Sequence, residues 1–257
     1  MKITFIGTGA GVYSPFTDGY RTYTSVLIDG LAIDAGITFL PALKAAGASP
    51  AQIMNIAYTH AHSDHWHPEV LRQLVLADGP ARVAAPPKLA RKIERFLLDE
   101  ALPKAPEVVP LEPAGDAAFD GVRLTALEAN HARIANEPSL NYLVESDGKR
   151  ALYMVDSSVP VAATVKFLRE QPEPADILIM DATTVMDDGH KYMFAHGSLP
   201  SVARVAECFR RTQVLKPDAP VYGIHFSAAL LAERAPTERE LAELGVLMPA
   251  DGMRVEV

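Results

Sequence analysis

Three histidines and an aspartate fall within six residues, His60-Ala61-His62-Ser63-Asp64-His65. The whole 257-residue chain holds only eight histidines, so composition alone does not produce this cluster. Imidazole and carboxylate are the donors that Zn²⁺ and similar divalent ions use. The spacing lets His60 and His62 converge on one ion while Asp64 and His65 turn toward a second. The apolar run Ile53-Met54-Asn55-Ile56-Ala57-Tyr58 directly precedes the cluster and reads as a strand. The ligands therefore leave a strand end on a loop, where a rigid scaffold can present them.

The elements that must position this cluster alternate along the chain. Strands are predicted over Ile3–Gly7, Thr24–Ile28, Leu31–Asp34, Ile53–Tyr58, Arg82–Ala85, Val122–Glu128, Asn141–Ser146, Arg150–Val155, Ile177–Met180 and Val221–Ile224, with a closing strand over Met253–Val257. Asp147-Gly148 joins two of them as a hairpin. Helices are predicted over Phe39–Ala46 with Gly47 as its stop, Pro68–Ala77, Pro87–Leu98, Val161–Gln171 and Ser198–Arg211. A last helix covers Thr237–Leu244, where Thr237 and Glu240 have capping-box spacing. Leu102–Pro113, marked by prolines, reads as a loop with at most a short extended segment. Neither a repeat nor a boundary divides the chain, which is read as one mixed α/β domain over residues 1–257.

Composition sets outer limits. Apolar residues make 49% of the chain, enough for a substantial core, and the formal charge of −8 argues against broad binding of nucleic acid. The single cysteine, Cys208, cannot form an internal disulfide, so a reducing, cytoplasmic setting is expected. Its position in a predicted helix suggests a small buried residue. No apolar window is long enough to span a membrane, and the run at Met1–Ile6 is too short for a secretory signal.

A two-ion site needs further ligands, and three later strand ends offer them: His131 after Val122–Glu128, Asp156 after Arg150–Val155, and His225 after Val221–Ile224. One aspartate at a strand end is ordinarily a turn or cap residue. Ligand-type residues at four strand ends form a pattern. That pattern resembles the metallo-β-lactamase superfamily, and within it the branch of ribonuclease Z and small cyclic phosphodiesterases. Phe5-Ile6-Gly7-Thr8-Gly9-Ala10-Gly11, Asp34-Ala35-Gly36, Ala182-Thr183-Thr184, Ala195-His196-Gly197-Ser198 and Ile224-His225-Phe226-Ser227 carry the likeness across nearly the whole chain.

The resemblance implies a four-layer αββα sandwich with a dinuclear metal site at one edge. His60, His62 and His131 would hold one ion, and Asp64, His65 and His225 the other, with Asp156 bridging. A nitrogen-rich set favours Zn²⁺, with Mn²⁺ as a possible substitute. Two such ions would acidify a shared water, from a pKa of about 15.7 toward about 7, giving a bridging hydroxide. Asp64 would orient it, and His196, outside the ligand set, would serve as general acid. His196 could instead be a helix-entry residue ahead of the cap Ser198. Asp181 either orients a ligand histidine or caps a turn. His67 lies near enough to the cluster to support a ligand, or else lies at the surface with His190. Trp66 is expected to pack. Gly7, Gly9 and Gly11 resemble a dinucleotide loop, but Val12-Tyr13-Ser14-Pro15 opens no helix, so a tight turn beside the metal edge is expected.

The expected activity is hydrolysis of a small or cyclic phosphodiester. A ribonuclease Z-like RNA endonuclease is one alternative. Against it, the interval from Asp156 to His196 lacks the long Gly-, Pro- and Lys-rich insertion that would form a tRNA-binding arm. Cys208 alone also lacks the partners for the cysteine-containing zinc site found in some cyclic phosphodiesterases. A lactonase, thioesterase or β-lactamase is a second alternative, and a non-catalytic accessory protein a third. The expected partner is a small molecule, with neither extended nucleic acid nor membrane, and a homodimer is plausible from the family.

Overall fold

The computed structural model describes residues 1–11, 21–102, 104–131, 139–189, 191 and 195–257. His190 and Val12-Tyr13-Ser14-Pro15 lie outside them. The elements are β1 (Lys2–Gly7), β2 (Ser25–Ile28), β3 (Leu31–Ile33), α1 (Phe39–Ala45), β4 (Asn55–Ala57), α2 (Pro68–Leu76), β5 (Arg82–Ala85), α3 (Pro87–Asp99), β6 (Glu107–Pro110), β7 (Asp116–Phe119) and β8 (Val122–Glu128). Then come β9 (Leu140–Ser146), β10 (Lys149–Met154), α4 (Ala162–Arg169), β11 (Ile177–Asp181), α5 (Leu199–Arg211), β12 (Val221–Ile224), α6 (Ala228–Glu233), α7 (Glu238–Leu244) and β13 (Arg254–Glu256).

Among the described residues two sheets form, ordered β13-β1-β2-β3-β4-β5-β6 and β12-β11-β10-β9-β8-β7. Successive side chains on a strand point to opposite faces, and here both faces are buried. Ala151 and Tyr153 of β10 and Ile177 and Ile179 of β11 enter the core shared with Ile3, Phe5, Val26 and Ile28 of the other sheet. Their neighbours Leu152, Met154, Leu178 and Met180 join Leu168 of α4 and Val202, Ala206 and Phe209 of α5. On the far side, Ile56 and Val83 meet Leu71 and Leu74 of α2 and Leu89 and Ile93 of α3. Three buried interfaces separate four layers, the αββα sandwich. Double-sided burial explains why these strands read as continuous apolar runs rather than alternating ones.

The sheets align their strand ends. β3, β4, β5 and β6 run parallel. β10, β11 and β12 are also parallel, and β8 shares their direction because β9 pairs antiparallel with both β8 and β10. The C-terminal ends of β8, β10, β11 and β12 therefore fall along one edge of the second sheet.

Several expectations need correction. The strand expected over Ile53–Tyr58 is only Asn55–Ala57, while Asp181 is the last residue of β11 rather than the residue after it. β7 and α6 add to the expected elements. Asp-Ala-Ala-Phe has little intrinsic strand preference and is a strand because it pairs with β8. The helix Ala228–Glu233 follows Ser227, whose side chain accepts from the Leu230 N–H. Cys208 is exposed, not buried. Helix α5 buries Leu199, Val202, Val205, Ala206 and Phe209, and Cys208 falls on the opposite face. The Asp147-Gly148 hairpin forms with both residues at positive φ, 50° and 68°. The Thr237–Glu240 capping box forms as well.

Candidate metal centre

The cluster begins where β4 ends. Tyr58 N–H still donates to Ala84 of β5, and Tyr142 of the opposite sheet donates its hydroxyl to the Tyr58 carbonyl at 2.6 Å. This fixes the strand exit from both layers. The chain then turns tightly: the N–H groups of His65 and Trp66 both donate to the His62 carbonyl, and Ala35 N–H donates to the His65 carbonyl. Gly36 must be glycine here, because a Cβ would lie 1.9 Å from the Asp64 carbonyl oxygen. A Cβ on Gly11 would lie 2.2 Å from Asp64 Oδ2, so the glycine-rich segment is a close backbone approach beside the cluster. Trp66 is buried in the helix-side core with Lys92 over its ring.

His60 Nε2 and His62 Nδ1 lie 2.8 Å apart. His131 completes that group, its ring centroid 5.0 Å from His60 and 5.3 Å from His62. Asp64 Oδ2 lies 3.2 Å from His65 Nε2 and 3.6 Å from His225 Nε2. Asp156 stands between the two groups. Its Oδ2 is 2.7 Å from His65 Nε2 and 3.4 Å from His225 Nε2, and its Oδ1 is 3.7 Å from His131 Nδ1. The donor atoms of His60, His62 and His131 lie within 4.8 Å of one another, as do those of Asp64, His65 and His225. The structure thus gathers all seven side chains singled out in the sequence.

Orphaned atoms test whether cations fit. His225 Nε2 and both nitrogens of His131 are buried without a hydrogen-bond partner, and His65 Nε2 and Asp156 Oδ2 face each other at 2.7 Å without hydrogen-bond geometry. Each such atom costs about 1–3 kcal/mol. Five converging on one space make a donor set that divalent cations would satisfy.

Buried partners fix which nitrogen His60, His65 and His225 turn inward. Thr59 Oγ1 is 3.0 Å from His60 Nδ1 and 3.0 Å from each oxygen of Asp34. Asp34 also accepts from His65 Nδ1 at 2.8 Å and from the Thr59 N–H at 2.8 Å. Thr183 Oγ1 is 2.8 Å from His225 Nδ1, and Asp181 Oδ2 is 3.4 Å from the same nitrogen. In each case Nδ1 is occupied and Nε2 is presented to the cluster, the arrangement that orients metal-ligating imidazoles. Spacing did not reveal Asp34, Thr59 or Thr183 as supports. Asp34 and Thr183 meet their histidines across 31 and 42 residues of chain. The available signal was that Asp34 also ends a strand.

Three of the eleven described non-glycine residues at positive φ belong to this site. Asp34, Asp156 and His225 are non-glycine residues at φ 62°, 48° and 65°. Each such conformation costs on the order of 1–3 kcal/mol. One fully buried Leu or Phe offsets a comparable amount, and three cores supply many.

The field favours positive charge on the side of Asp64 and Asp156 that faces His65 and His225. Burial alone would lower His65, but Asp64, Asp156 and Asp34 hold it well above the ordinary histidine value. His225 is pushed up to about 10, where Asp156 and Asp181 overcome burial. Burial raises Asp64 and Asp156, yet the facing histidines bring both below the usual carboxylate range. His60 has no carboxylate this close, and burial with neighbouring His65 drives it well down.

Outside the seven, Asp181 engages a side chain through one carboxylate oxygen and the turn backbone through the other. Oδ2 lies 3.0 Å from His196 Nδ1, while Oδ1 accepts from the N–H groups of Thr183 and Gly197. His196 stacks on His225 with centroids 5.7 Å apart and planes 12° apart, and Nδ1 is 3.6 Å from Asp156 Oδ1. Its side chain is 17% exposed, against 3% for His225, so it sits at the mouth of the cluster. Burial lowers His196, but Asp181 prevails and raises it. Ser198, two residues on, caps α5. His67 occupies the N-cap position of α2 without a side-chain capping bond.

Comparison with known proteins agrees with this architecture. Residues 30–226 match the family model described as the Beta-lactamase superfamily domain. Ribonuclease Z of Mycobacterium tuberculosis is 24% identical over 173 residues, covering 61% of this chain and 62% of that protein. The match thus spans less than two thirds of that relative's length. The human short-form tRNase Z structure superposes with a TM-score of 0.73 at 22% identity, covering 100% of this chain and 99% of that one. A diphosphatase from the PhnP family superposes with a TM-score of 0.71, also at 22% identity, covering 99% and 97%. With most of its length under one family model and the αββα sandwich in place, this chain belongs to the metallo-β-lactamase superfamily.

Proposed function

We propose that the protein is a metal-dependent phosphodiesterase acting on a small or cyclic phosphodiester. The observation that carries this reading is His196, held at Nδ1 by Asp181 beside Asp156 and His225 and, at 17% exposure against 3% for His225, open to the mouth of the cluster. A leaving group of high pKa departs only with a proton donor. An alkoxide leaving phosphorus is such a group.

His60, His62 and His131 would hold one ion and Asp64, His65 and His225 the other, with Asp156 shared. Five imidazoles and two carboxylates favour Zn²⁺, with Mn²⁺ the substitute. When bound, such ions acidify water and neutralise charge on phosphoryl oxygens. The residues divide the remaining work. Asp64, whose carboxylate is 14% exposed, accepts a hydrogen bond from the attacking water and orients it. As the new P–O bond forms and the ester P–O bond breaks, His196 passes the proton on Nε2 to the departing oxygen. Asp181 keeps the opposite ring edge fixed and stabilises the charge on the ring before transfer.

The mycobacterial ribonuclease Z likeness favours a second reading, an RNA endonuclease. The formal charge of −8 supports the smaller substrate. The same reading assigns the protein to the cytoplasm, on its single cysteine, and allows a homodimer. Among the described residues, no helix is long and apolar enough to cross a membrane.

The test is a panel of bis(p-nitrophenyl) phosphate, cyclic nucleotide diesters, a pre-tRNA, lactones and thioesters, with wild type and His196→Ala. Expected are about two transition-metal ions per chain, loss of activity on chelation, and preference for the small diesters. Metal analysis finding no ion overturns the proposal. So does a preference for lactones or thioesters that His196→Ala leaves intact. Pre-tRNA cleavage weakened by salt would move the assignment to the endonuclease.

A further inference from the structure

His60, His65 and His225 each have an Nδ1 fixed by a buried partner, but His131 does not. Both of its ring nitrogens are buried without a hydrogen bond. Its orientation therefore depends on how its backbone is held. On the N-terminal side β8 ends at Glu128, and Ala129 N–H donates to the Ser139 carbonyl. The next residue is Asn130.

The Asn130 carboxamide uses both ends on a single target. Oδ1 accepts from the Ser158 N–H at 2.8 Å and from Ser157 Oγ at 3.0 Å, and Nδ2 donates to the Val159 carbonyl at 2.8 Å. Those three residues directly follow Asp156, which sits at φ 48°. A non-glycine residue in that conformation persists only where its surroundings over-determine it. Asn130 thus joins the residue before His131 to the three residues after Asp156, bridging 27 to 29 residues of chain. One side chain fixes the separation of two ligands from different strand ends.

We infer that Asn130 is a positioning residue that locks the His131 and Asp156 loops together and so governs retention of the ion held by His60, His62 and His131. This rests on the metal-site reading above. The ion facing Asp64, His65 and His225 shares Asp156, but His65 and His225 are each held at Nδ1, by Asp34 and Thr183, where His131 is not, so it depends on Asn130 less. The geometry requires an amide. Asn130→Asp keeps the acceptor but loses the donor to Val159. Asn130→Leu has similar size and loses all three bonds.

The experiment measures metal content after dialysis, stepwise ion affinity by chelator competition, and thermal melting of the metal-free form, for wild type and both variants. Second-shell losses at metal sites typically weaken affinity by about 10–100-fold. Asn130→Leu should weaken one of the two binding steps by that factor, giving close to one retained ion per chain. Asn130→Asp should fall between Asn130→Leu and wild type. Should Asn130→Leu fail to fold, Asn130→Asp carries the test alone, with one step weakened and the other unchanged. Two ions bound at wild-type affinity by the folded variants overturn the inference and leave the metal site standing. Equal weakening of both steps, tracking a lower melting point of the metal-free form, also overturns it by assigning Asn130 to folding alone. A wild type holding no ion overturns both readings together.

Discussion

Asp181 Oδ2 lies 3.0 Å from His196 Nδ1, and the other oxygen of the same carboxylate accepts from the N–H of Gly197, the next residue in the chain. The aspartate grips ring and backbone together, so His196 is built in rather than passing by on its way into α5. If His196 is a proton donor, its importance depends on the leaving group. His196→Ala should lower kcat by about 10²–10⁴ for an alkyl leaving group and far less for p-nitrophenolate, which departs without a proton. Rates measured over a series of leaving groups check this, with metal content unchanged as the control.

Asp34 is fully buried beneath His65 and accepts from His65 Nδ1 and from the N–H and hydroxyl of Thr59. Asp34→Ala leaves those donors unpaired. Breaking a buried charged pair in this way costs about 3–5 kcal/mol, and ion affinity should fall about 10–100-fold. Denaturant unfolding of the metal-free protein and chelator competition measure the two effects separately. A loss below about 1 kcal/mol would place Asp34 outside the support of the site.

Gly36→Ala brings a methyl into the Asp64 carbonyl, at 1.9 Å before relaxation. Backbone has little room to give, so the cost should reach about 3 kcal/mol or more, with impaired ion binding. Gly148→Ala is the comparison. Nothing lies within 4 Å of its Cβ, and only its φ of 68° opposes the change. It should cost about 1 kcal/mol. Melting curves of the two variants rank them.

Asp176 accepts from the Arg150 N–H, Lys216 Nζ and Lys149 Nζ at 2.9, 2.7 and 3.4 Å. Burial alone would raise its carboxyl, but Lys216 and the Arg150 N–H more than compensate and hold it below the usual value. A depressed folded-state pKa means the stabilisation is full above the unfolded value of about 3.9 and disappears as pH falls through the lower folded value. Asp176→Asn should therefore be less stable than wild type by about 1–2 kcal/mol near pH 7, and the gap should close below about pH 4. The lysine contribution is screened, since both side chains are more than a third exposed. Unfolding free energies from pH 3 to 8 provide the check.

The sequence by itself marked the donor-type side chains and the strands they follow. His60, His131, Asp156 and His225 each follow a strand, and strands running in one direction deliver such residues to one edge. Apolar runs of strand length, caps and the Asp147-Gly148 turn are local features that report on themselves. The tertiary structure alone decided which groups stand behind the ligands. Asp34 under His65, Thr183 under His225, and Asn130 against Ser157, Ser158 and Val159 are matched across 27 to 42 residues. Those matches depend on strand register and on how one sheet is stacked on the other, which no local pattern encodes. The same holds for β7, a strand because β8 lies beside it, and for Cys208, exposed because α5 turns its other face to the sheet. Sequence pattern singled out the side chains; packing chose their orientation.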